Sequence, residues 1–438
     1  MISYDLLVIG FGKAGKTLAG KMASLGKKVA LVEEDTSMYG GTCINIGCIP
    51  TKTLIHAAQE NLSFSEAMTL KDTVTTRLNK KNETVLRNSG ADLYNARARF
   101  LDNKKVELSG GAEKEIISAE TIVINTGAVS NRFPIPGLLE TQNVFDSTGI
   151  QHLQQRPQRL GLIGGGNIGL EFASLYAKLG SEVTVFDAAP AILARAEEVV
   201  AKMAKEYLEE DGVSFVLSSK VEGLRNNGEK VIITADGKDY EFDAVMYAMG
   251  RKPATEDLGL ENTDIKLTDR GAILVNDYLE TSVENIYAVG DVNGGLQFTY
   301  TSLDDFRIVF GRLTGSSDYN LAERRNVPNT TFIQPALSQV GMTEKEAKEK
   351  GLDYKANELL VANMPRAHVD NNLRGIYKVI VDKNSSEILG ASLFAQDSQE
   401  VINIIKMAMD NHIPYTYLKN QVFTHPTMSE NLNDVFNF

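Results

Sequence analysis

The sequence is poor in the residues that bind metals or build disulfide frameworks. It contains two cysteines and five histidines in 438 residues. Two cysteines cannot form a disulfide framework, and scattered histidines make a poor zinc site, so we expect no metal. Runs of Lys and Arg are also missing, and the formal net charge of −12 argues against nucleic acid as a partner. No apolar run reaches the length of a membrane span.

The N-terminal segment MISYDLLVIGFG is typical of a strand that enters a turn. It has neither the basic region nor the cleavage site of a signal peptide. We therefore expect a cytoplasmic protein, in which two cysteines more often serve redox chemistry than structure. The length predicts about three domains.

An internal repeat organises the first half of the chain. The segments YDLLVIGFGKAGKTLAGKMASLGKKVALVEED and QRLGLIGGGNIGLEFASLYAKLGSEVTVFDAA each predict a strand, a G-x-G-x-x-G turn, a helix and a second strand that ends in an acid. In this context the glycines let the backbone approach a pyrophosphate at a helix N-terminus, and the acid binds a ribose hydroxyl. Two copies therefore predict two dinucleotide sites. Their residues are Gly10, Gly12, Gly15 and Glu33, and Gly164, Gly166, Gly169 and Asp187.

Later apolar runs predict further strands. ETIVINTGA and DAVMYAMGRKPA end in turns at Gly127 and Gly250, and TSVENIYAVGD is expected to be a strand from Thr281 to Asp291. After Val327 the pattern changes. KVIVD and ILGASLFA predict antiparallel strands, and SQEVINIIKMAMDN predicts an amphipathic helix with apolar residues at positions 401, 402, 405 and 409. We interpret this part as a separate C-terminal domain.

The two cysteines, Cys43 and Cys48, lie in the segment GTCINIGCIPTK. Pro50 predicts a helix that begins near Cys48, and the positive end of that helix would favour a thiolate. A regular helix would separate the two Cα atoms by about 7.5 Å along its axis, more than a disulfide allows. We therefore expect an irregular backbone at Gly47. We favour a redox-active disulfide, and two small buried residues that never pair are the alternative.

The C-terminal segment FTHPTMSENLNDVF contains a candidate proton donor. Thiol–disulfide chemistry needs a proton donor for its leaving group, and histidine is the type of side chain suited to that role near neutral pH, which makes His425 the candidate. Glu430 follows five residues later and would orient the imidazole. For a histidine considered alone, a structural role is the usual alternative.

Together these motifs resemble the class I pyridine nucleotide–disulfide oxidoreductases, such as glutathione reductase, dihydrolipoamide dehydrogenase and mercuric reductase. The resemblance covers nearly the whole chain in the order of the family. It implies an α/β fold with two Rossmann-like dinucleotide-binding domains and a C-terminal α+β dimerisation domain. The implied domains are 1–147 (FAD-binding, first part), 148–262 (NAD(P)H-binding), 263–326 (FAD-binding, second part) and 327–438 (interface).

The resemblance also implies which residues bind the two cofactors, FAD and NAD(P)H. The FAD residues would be Gly10, Gly12, Gly15, Glu33, Gly41, Thr42, Lys52, Thr126, Gly127 and Asp291. The nicotinamide nucleotide residues would be Gly164, Gly166, Gly169, Asp187 and Gly250.

The catalytic residues follow from the same resemblance. Lys52 would lie near the flavin and pair with Glu171. Cys48 would face the flavin, and Cys43 would meet the substrate. His425 and Glu430 would come from the partner subunit, which makes the active form a homodimer.

The branch of the family is indicated by the segments MYGGTCINIGCIPTKTL, GGLQFTYTSLDDFRIV, NIIKMAMD and FTHPTMSENLND. They resemble the bacterial reactive chlorine resistance flavoproteins, a branch that includes hypothiocyanous acid reductases. The C-terminal cysteine pair of mercuric reductases is missing. We therefore expect an NAD(P)H-dependent FAD disulfide oxidoreductase that reduces hypothiocyanous acid in oxidative stress defence. The alternatives are a low-molecular-weight disulfide, lipoamide or a metal ion such as Cu(II) or Hg(II) as substrate, or a low-turnover flavin redox sensor.

Two features bear on the nicotinamide nucleotide. The family often has a gating tyrosine inside the second glycine motif, where this chain has Asn167, so the gate is absent or another side chain supplies it. Asp187 suits a free ribose 2′-hydroxyl and repels a 2′-phosphate, which indicates NADH. Arg195 lies further along and could weaken this preference.

Overall fold

The computed structural model describes residues 2–110 and 114–438. The chain folds into two compact units, each built from separate stretches of sequence. Unit 1 contains the described residues up to Arg132 together with Ser147–Gln154 and Gly250–Glu323. Unit 2 contains Phe133–Asp146, Gln155–Met249 and Arg324–Phe438. The four-part division expected from the sequence stays a prediction.

Helices and strands follow one another along the whole chain. The α-helices are α1 (Lys13–Ser24), α2 (Thr42–Asn45), α3 (Cys48–Gln59), α4 (Phe64–Asn88), α5 (Asn167–Lys178), α6 (Glu198–Glu210), α7 (Thr299–Thr314), α8 (Glu344–Glu349), α9 (Pro365–Val369), α10 (Ser398–Asp410), α11 (Tyr415–Asn420) and α12 (Leu432–Val435). None of the helices in the described ranges combines the length and the apolar character that a bilayer crossing requires.

The strands are mostly short. They are β1 (Ile2–Ile9), β2 (Val29–Glu33), β3 (Asp92–Asn95), β4 (Arg97–Phe100), β5 (Lys105–Ser109), β6 (Glu115–Ile124), β7 (Ala128–Ser130), β8 (Val144–Phe145), β9 (Arg159–Ile163), β10 (Glu182–Phe186), β11 (Val213–Val216), β12 (Val221–Asn227), β13 (Lys230–Ala235), β14 (Lys238–Phe242), β15 (Ala244–Tyr247), β16 (Arg251–Pro253), β17 (Ile286–Ala288), β18 (Asn329–Thr331), β19 (Leu337–Gly341), β20 (Tyr354–Leu360), β21 (Ile376–Asp382) and β22 (Ile388–Phe394).

In the described part of unit 1, seven strands form one sheet. Six follow the order β3-β2-β1-β6-β5-β4, and β17 pairs with β6. The strand β1 pairs in parallel with both β2 and β6. Its residues alternate between two cores, since Leu7 and Ile9 pack in one and Leu6 and Val8 in the other. Both faces of β1 are therefore buried, which explains its continuous apolar run. The strand–turn–helix–strand predicted for the first repeat is confirmed.

The strand predicted from Thr281 to Asp291 is wrong in its extent, because β17 covers only Ile286–Ala288. Before it, the backbone N–H of Thr281 donates to the carbonyl of Ile286 at 2.8 Å, and Asn285 has a positive φ of 60°. The chain therefore turns just before the strand begins. After the strand, a short 3₁₀ helix covers Gly290–Asn293.

Unit 2 contains the second repeat in a sheet of order β11-β10-β9-β15-β8. Here β9 pairs in parallel with β10 and β15, which confirms the predicted topology of this copy. The C-terminal part forms a separate sheet of order β18-β19-β22-β21-β20. In it, β21 and β22 are antiparallel, and α10 buries Val401, Ile402 and Ile405. The predicted strand pair and amphipathic helix are confirmed.

A lysine surrounded by three carboxylates lies in unit 2. The Nζ atom of Lys378 is 2.6 Å from Glu344, 3.0 Å from Glu358 and 3.4 Å from Glu197. Burial alone would lower the pKa of Lys378, but the hydrogen bonds with Glu344 and Glu358 and the charge of Glu197 raise it. The hydrogen bond from Lys378 in turn lowers the pKa of Glu344. Glu197 is only 5% exposed, so Lys378 supplies a buried positive charge beside a buried carboxylate.

Candidate active site

The first glycine motif forms the turn between β1 and α1. Gly10 has a φ of +99°, and a Cβ atom on it would clash with the backbone of Asn125. A Cβ atom on Gly12 would lie 2.5 Å from Oδ1 of the same asparagine. Gly12 also precedes α1 and has no side chain to cap it. The first turn of the helix therefore presents backbone N–H groups, which favour an anionic ligand.

Glu33 stands at the end of β2 beside this turn. Its carboxylate accepts hydrogen bonds from the backbone N–H of Phe11 at 3.0 Å and of Asp35 at 3.3 Å. Burial raises the pKa of Glu33, and these two N–H groups act against that rise. The carboxylate is thus fixed next to the glycine turn, which is where the predicted ribose contact requires it.

Gly41 packs directly on the glycine turn. It has a φ of +83°, and a Cβ atom on it would lie 2.8 Å from the Cα atom of Gly12. Its own N–H donates to the carbonyl of Met38 at 2.7 Å, and Thr42 begins α2 immediately afterwards. Two backbone segments therefore meet at a helix N-terminus in a cradle that any side chain would fill. This geometry fits the pyrophosphate of FAD.

Asn125 joins the predicted FAD segments to one another. It is 5% exposed, its Oδ1 accepts from the N–H of Gly15 at 2.9 Å, and its Nδ2 donates to the carbonyl of Val289 at 2.7 Å. The sequence predicts a turn at this point but gives no signal for the contacts. Their partners lie 110 and 164 residues away.

Thr126, Gly127, Gly250 and Asp291 are further predicted cofactor residues within unit 1. The Thr126 hydroxyl donates to the carbonyl of Ala254 at 2.7 Å, and the carbonyl of Gly127 accepts from the N–H of Ala254 at 2.9 Å. Gly250 precedes β16, which pairs with β7. Asp291 lies in the 3₁₀ helix after β17, and burial raises its pKa while a neighbouring arginine acts against that rise.

The second glycine motif reproduces the first inside unit 2. Gly164 has a φ of +107°, and a Cβ atom on Gly169 would clash with its carbonyl. The carboxylate of Asp187 accepts from the N–H of Gly165 at 2.6 Å, as Glu33 does from the residue after Gly10. The two acids therefore hold equivalent positions, which supports their prediction as a pair of ribose ligands.

The entrance to this second motif is open to solvent. Gly166 precedes α5, and Asn167 is the first residue of that helix; both are exposed. Arg195 is exposed on the loop that follows β10. The roles predicted for Asn167 and Arg195 remain predictions.

The two cysteines lie on either side of a break between two helices. The helix α2 ends at Asn45 and α3 begins at Cys48, so the backbone around Gly47 is irregular, as predicted. A Cβ atom on Gly47 would lie 3.0 Å from the carbonyl oxygen of Thr42, which explains the glycine. Both cysteines are thiols, with Cys43 half-buried and Cys48 exposed. The structure brings the pair together at the N-terminus of α3, and the disulfide stays a prediction.

The protonation of Cys43 is set by its neighbours. The hydrogen bond with Cys48 raises the pKa of Cys43, and burial and the charge of Cys48 raise it further. The Thr299 hydroxyl and the Lys16 ammonium act in the opposite direction. The raised pKa favours the protonated form of Cys43 when Cys48 carries a negative charge.

The N-terminus of α7 also lies against the cysteines. The hydroxyl oxygen of Thr299 is 3.5 Å from Sγ of Cys48. Burial raises the pKa of the next residue, Tyr300, and the charge of Cys48 adds to this rise. The rings of Phe298 and Tyr300 stack with centroids 4.9 Å apart. Nothing in the segment FTYTS signals these contacts, because they depend on the packing of α7 against a distant stretch of sequence.

His425 and Glu430 form a hydrogen-bonded pair in unit 2. Nδ1 of His425 lies 2.8 Å from Oε2 of Glu430, and the other carboxylate oxygen accepts from the N–H of Thr427 at 3.2 Å. The histidine side chain is 67% exposed, whereas that of Glu430 is 19% exposed. A carboxylate that engages Nδ1 leaves Nε2 for proton transfer, which is the geometry that the predicted role requires.

Lys52 and Glu171 belong to different units. Lys52 is half-buried on α3 in unit 1. Glu171 is 7% exposed on α5 in unit 2, where it accepts from the backbone N–H of Phe332 at 3.0 Å. The predicted pairing of Lys52 with Glu171 stays a prediction.

Comparison with known proteins identifies relatives over the whole chain. Residues 4–305 match the pyridine nucleotide-disulphide oxidoreductase family, and residues 327–436 match its dimerisation domain. Over 437 residues the chain is 46% identical to the probable pyridine nucleotide-disulfide oxidoreductase RclA of Escherichia coli strain K12, covering 100% of this chain and 99% of that protein. It is 33% identical to a mercuric reductase of Staphylococcus aureus over 451 aligned positions, covering 98% of this chain and 81% of that protein.

A solved structure agrees with these matches. The Cu(II) complex of the HOCl-induced flavoprotein disulfide reductase RclA from Escherichia coli has a TM-score of 0.98 at 46% identity, covering 100% of this chain and 99% of that one. The chain therefore belongs to the pyridine nucleotide-disulfide oxidoreductase family, whose members depend on FAD and a pyridine nucleotide. The predicted fold class and the prediction of an oxidoreductase are confirmed, and the dimerisation domain implies a homodimer.

Proposed function

We propose that this chain is an NAD(P)H-dependent flavoprotein disulfide reductase whose Cys43–Cys48 pair reduces hypothiocyanous acid. One observation carries the proposal: two mutually hydrogen-bonded thiols lie on either side of the break between α2 and α3, and Cys43 follows Gly41 of the cradle that fits FAD by two residues. The similarity to RclA, described as an HOCl-induced flavoprotein disulfide reductase, supports a role in defence against hypohalous oxidants.

The cofactors are assigned to the two glycine motifs. We infer that FAD is held by the residues of unit 1 that carry the cradle and its surroundings, namely Gly10, Gly12, Gly15, Glu33, Gly41, Thr42, Lys52, Thr126, Gly127 and Asp291. When bound, FAD accepts a hydride from the nicotinamide and supplies an electron pair to the disulfide. NAD(P)H is assigned to Gly164, Gly166, Gly169, Asp187 and Gly250, and the Asp187 carboxylate favours NADH.

The chemistry of the reduced pair follows from its protonation. His425 of the partner subunit, oriented by Glu430, removes the proton from Cys43. The Cys43 sulfur attacks the electrophilic sulfur of hypothiocyanous acid, and the oxygen leaves as water with the proton returned by His425. The Cys48 thiolate then attacks the Cys43 sulfur, forms the disulfide and expels thiocyanate. Two electrons pass from the two cysteine sulfurs to the substrate, and no further reductant is required in this half of the cycle.

The domain boundaries and the location complete the proposal. We propose the division at residues 147, 262 and 326 and a cytoplasmic enzyme, since a dithiol that must stay reducible suits a reducing compartment. The active form is a homodimer in which each subunit donates His425 to the other.

A metal ion is the second candidate substrate. One solved structure of RclA is described as a Cu(II) complex, and a pair of adjacent thiols suits a soft metal ion. The Cys43–Cys48 pair would then reduce two Cu(II) ions to Cu(I), one electron each, as its two sulfurs form the disulfide.

Steady-state kinetics with NADH and NADPH separate these candidates. We expect kcat/KM for hypothiocyanous acid to exceed the values for Cu(II), Hg(II), lipoamide and glutathione disulfide. A higher kcat/KM for any of these four would overturn the assigned substrate. Rapid flavin reduction by NADH without sustained turnover on any of them would instead indicate a redox sensor. The double variant Cys43→Ser/Cys48→Ser is the control for reactions that bypass the thiols.

A further inference from the structure

A lysine without a role in the proposed chemistry is hydrogen-bonded to the segment that leads into Cys43. Lys16 follows Gly15 in α1 and is half-buried. Its ammonium donates to the carbonyl of Gly40 at 3.0 Å and to Oδ1 of Asn82 at 2.6 Å. Both acceptors are uncharged, and within residues 2–110 and 114–438 no carboxylate forms an ion pair with this ammonium.

The half-buried positive charge of Lys16 is costly, because both of its hydrogen-bond acceptors are uncharged. Burial lowers the pKa of Lys16 to about 8, and the charge of Lys13 lowers it as well, whereas Cys43 acts to raise it. A neutral amide such as glutamine could donate to the same carbonyl without the cost of burying a charge. The hydrogen bonds alone therefore do not require a lysine.

The lysine holds the segment that leads into Cys43. Gly40 lies three residues before Cys43, and a Cβ atom on it would be 3.1 Å from the side chains of both Asn82 and Ile44. Lys16 and Asn82, from α1 and α4, thus enclose this segment from two helices. Among the described residues, the largest influences on Cys43 come from Cys48, Thr299 and Lys16, and Lys16 is the cation in this group.

We propose that Lys16 is a positioning residue whose positive charge stabilises the Cys43 thiolate while that sulfur attacks the oxidant. The proposal rests on the proposed function and deepens it. When the proton leaves Cys43, the new anion is half-buried and lies beside the Cys48 sulfur, and both conditions disfavour it. A fixed cation offsets part of this cost without having to move during the reaction.

The test measures the acidity of Cys43 without any oxidant. In FAD-loaded Cys48→Ser protein, the rate at which iodoacetamide alkylates Cys43 is followed by intact mass between about pH 6 and pH 10, the range in which thiols titrate. The variants are Lys16→Gln, which loses the charge, Lys16→Arg, which keeps it, and Asn82→Leu, which removes the acceptor for Lys16 and the Nδ2 donor to the carbonyl of Leu78 but no charge. Lys21→Gln is the matched control, because Lys21 is exposed on the same helix.

We expect Lys16→Gln to move the alkylation profile to higher pH and to slow alkylation near pH 7 about tenfold, the effect of losing one nearby opposite charge. Lys16→Arg, Asn82→Leu and Lys21→Gln should keep the parent profile. An unchanged profile in Lys16→Gln, or an equal shift in Asn82→Leu, would overturn the proposal, because the lysine would then act through its hydrogen bonds or not at all. Since no oxidant is present, a different natural substrate would leave this outcome unaffected.

Discussion

Replacement of Gly41 by alanine tests whether the close approach of two backbone segments forms the FAD cradle. Gly41 and Gly26 have the same φ of +83°, so alanine at either position adds about 1–2 kcal/mol of left-handed strain. A Cβ atom on Gly41 would lie 2.8 Å from the Cα atom of Gly12, whereas no described atom outside the chain neighbours lies within 4 Å of a Cβ atom on Gly26. Carbon atoms prefer about 3.5–4.0 Å, so the Gly41 segment must retreat by roughly 1 Å.

The retreat has a predictable effect on FAD affinity. Overpacking of this kind costs about a further 1–3 kcal/mol. Because the cradle must close on the pyrophosphate, this cost should appear in binding, and Gly41→Ala should bind FAD about 5- to 150-fold more weakly than Gly26→Ala. Fluorescence titration of the two apoproteins with FAD measures the difference, and their thermal unfolding controls for the shared strain. Equal affinities in the two variants would refute the reasoning.

Three further predictions concern other contacts. Asn125→Leu leaves the N–H of Gly15 and the carbonyl of Val289 without their side-chain partner. Each loss should lower the free energy of unfolding by about 1–3 kcal/mol. An unchanged midpoint of urea unfolding would show that other groups form hydrogen bonds with both. Asp187→Ser should reduce the ratio of kcat/KM for NADH over NADPH about tenfold, and a constant ratio would remove this carboxylate from cofactor choice. Lys378→Met should destabilise the protein by about 3–5 kcal/mol at neutral pH. Because the pKa of Glu344 is depressed, the stability it contributes is present at neutral pH and is lost as the pH falls from about 4.3 toward that depressed value. Lys378→Met should weaken this dependence of stability on acid pH. The same dependence in the variant and the parent would show that Lys378 does not depress the pKa of Glu344.

Features set by local sequence were predictable. Each glycine motif needs only its neighbours: Gly10 and Gly164 adopt positive φ because the strand must turn at once into a helix. The irregular backbone at Gly47 followed from the spacing of two cysteines. The amphipathic helix α10 followed from a period that places Val401, Ile402 and Ile405 on one face.

Features set by contacts between distant segments were not predictable. Asn125, Thr299 and Lys16 lie in stretches whose own pattern predicts only a turn or a helix, and each acquires its partner when another segment packs on it. The strand predicted at TSVENIYAVGD is too long because the local apolar pattern extends beyond the residues that pair in the sheet. Its apolar residues continue beyond the paired stretch, while the positive φ of Asn285 marks where the turn ends.

The most direct test of the central claim is to find which sulfur attacks the oxidant. Reduced, FAD-loaded Cys48→Ser and Cys43→Ser proteins are each mixed with equimolar hypothiocyanous acid and followed by intact and peptide mass spectrometry. We expect Cys48→Ser to accumulate a thiocyanate adduct on Cys43, because the resolving thiolate is missing. Cys43→Ser should form no adduct at a comparable rate and should not turn over. Wild-type turnover by Cys43→Ser, or equally fast adduct formation on its Cys48, would contradict the account.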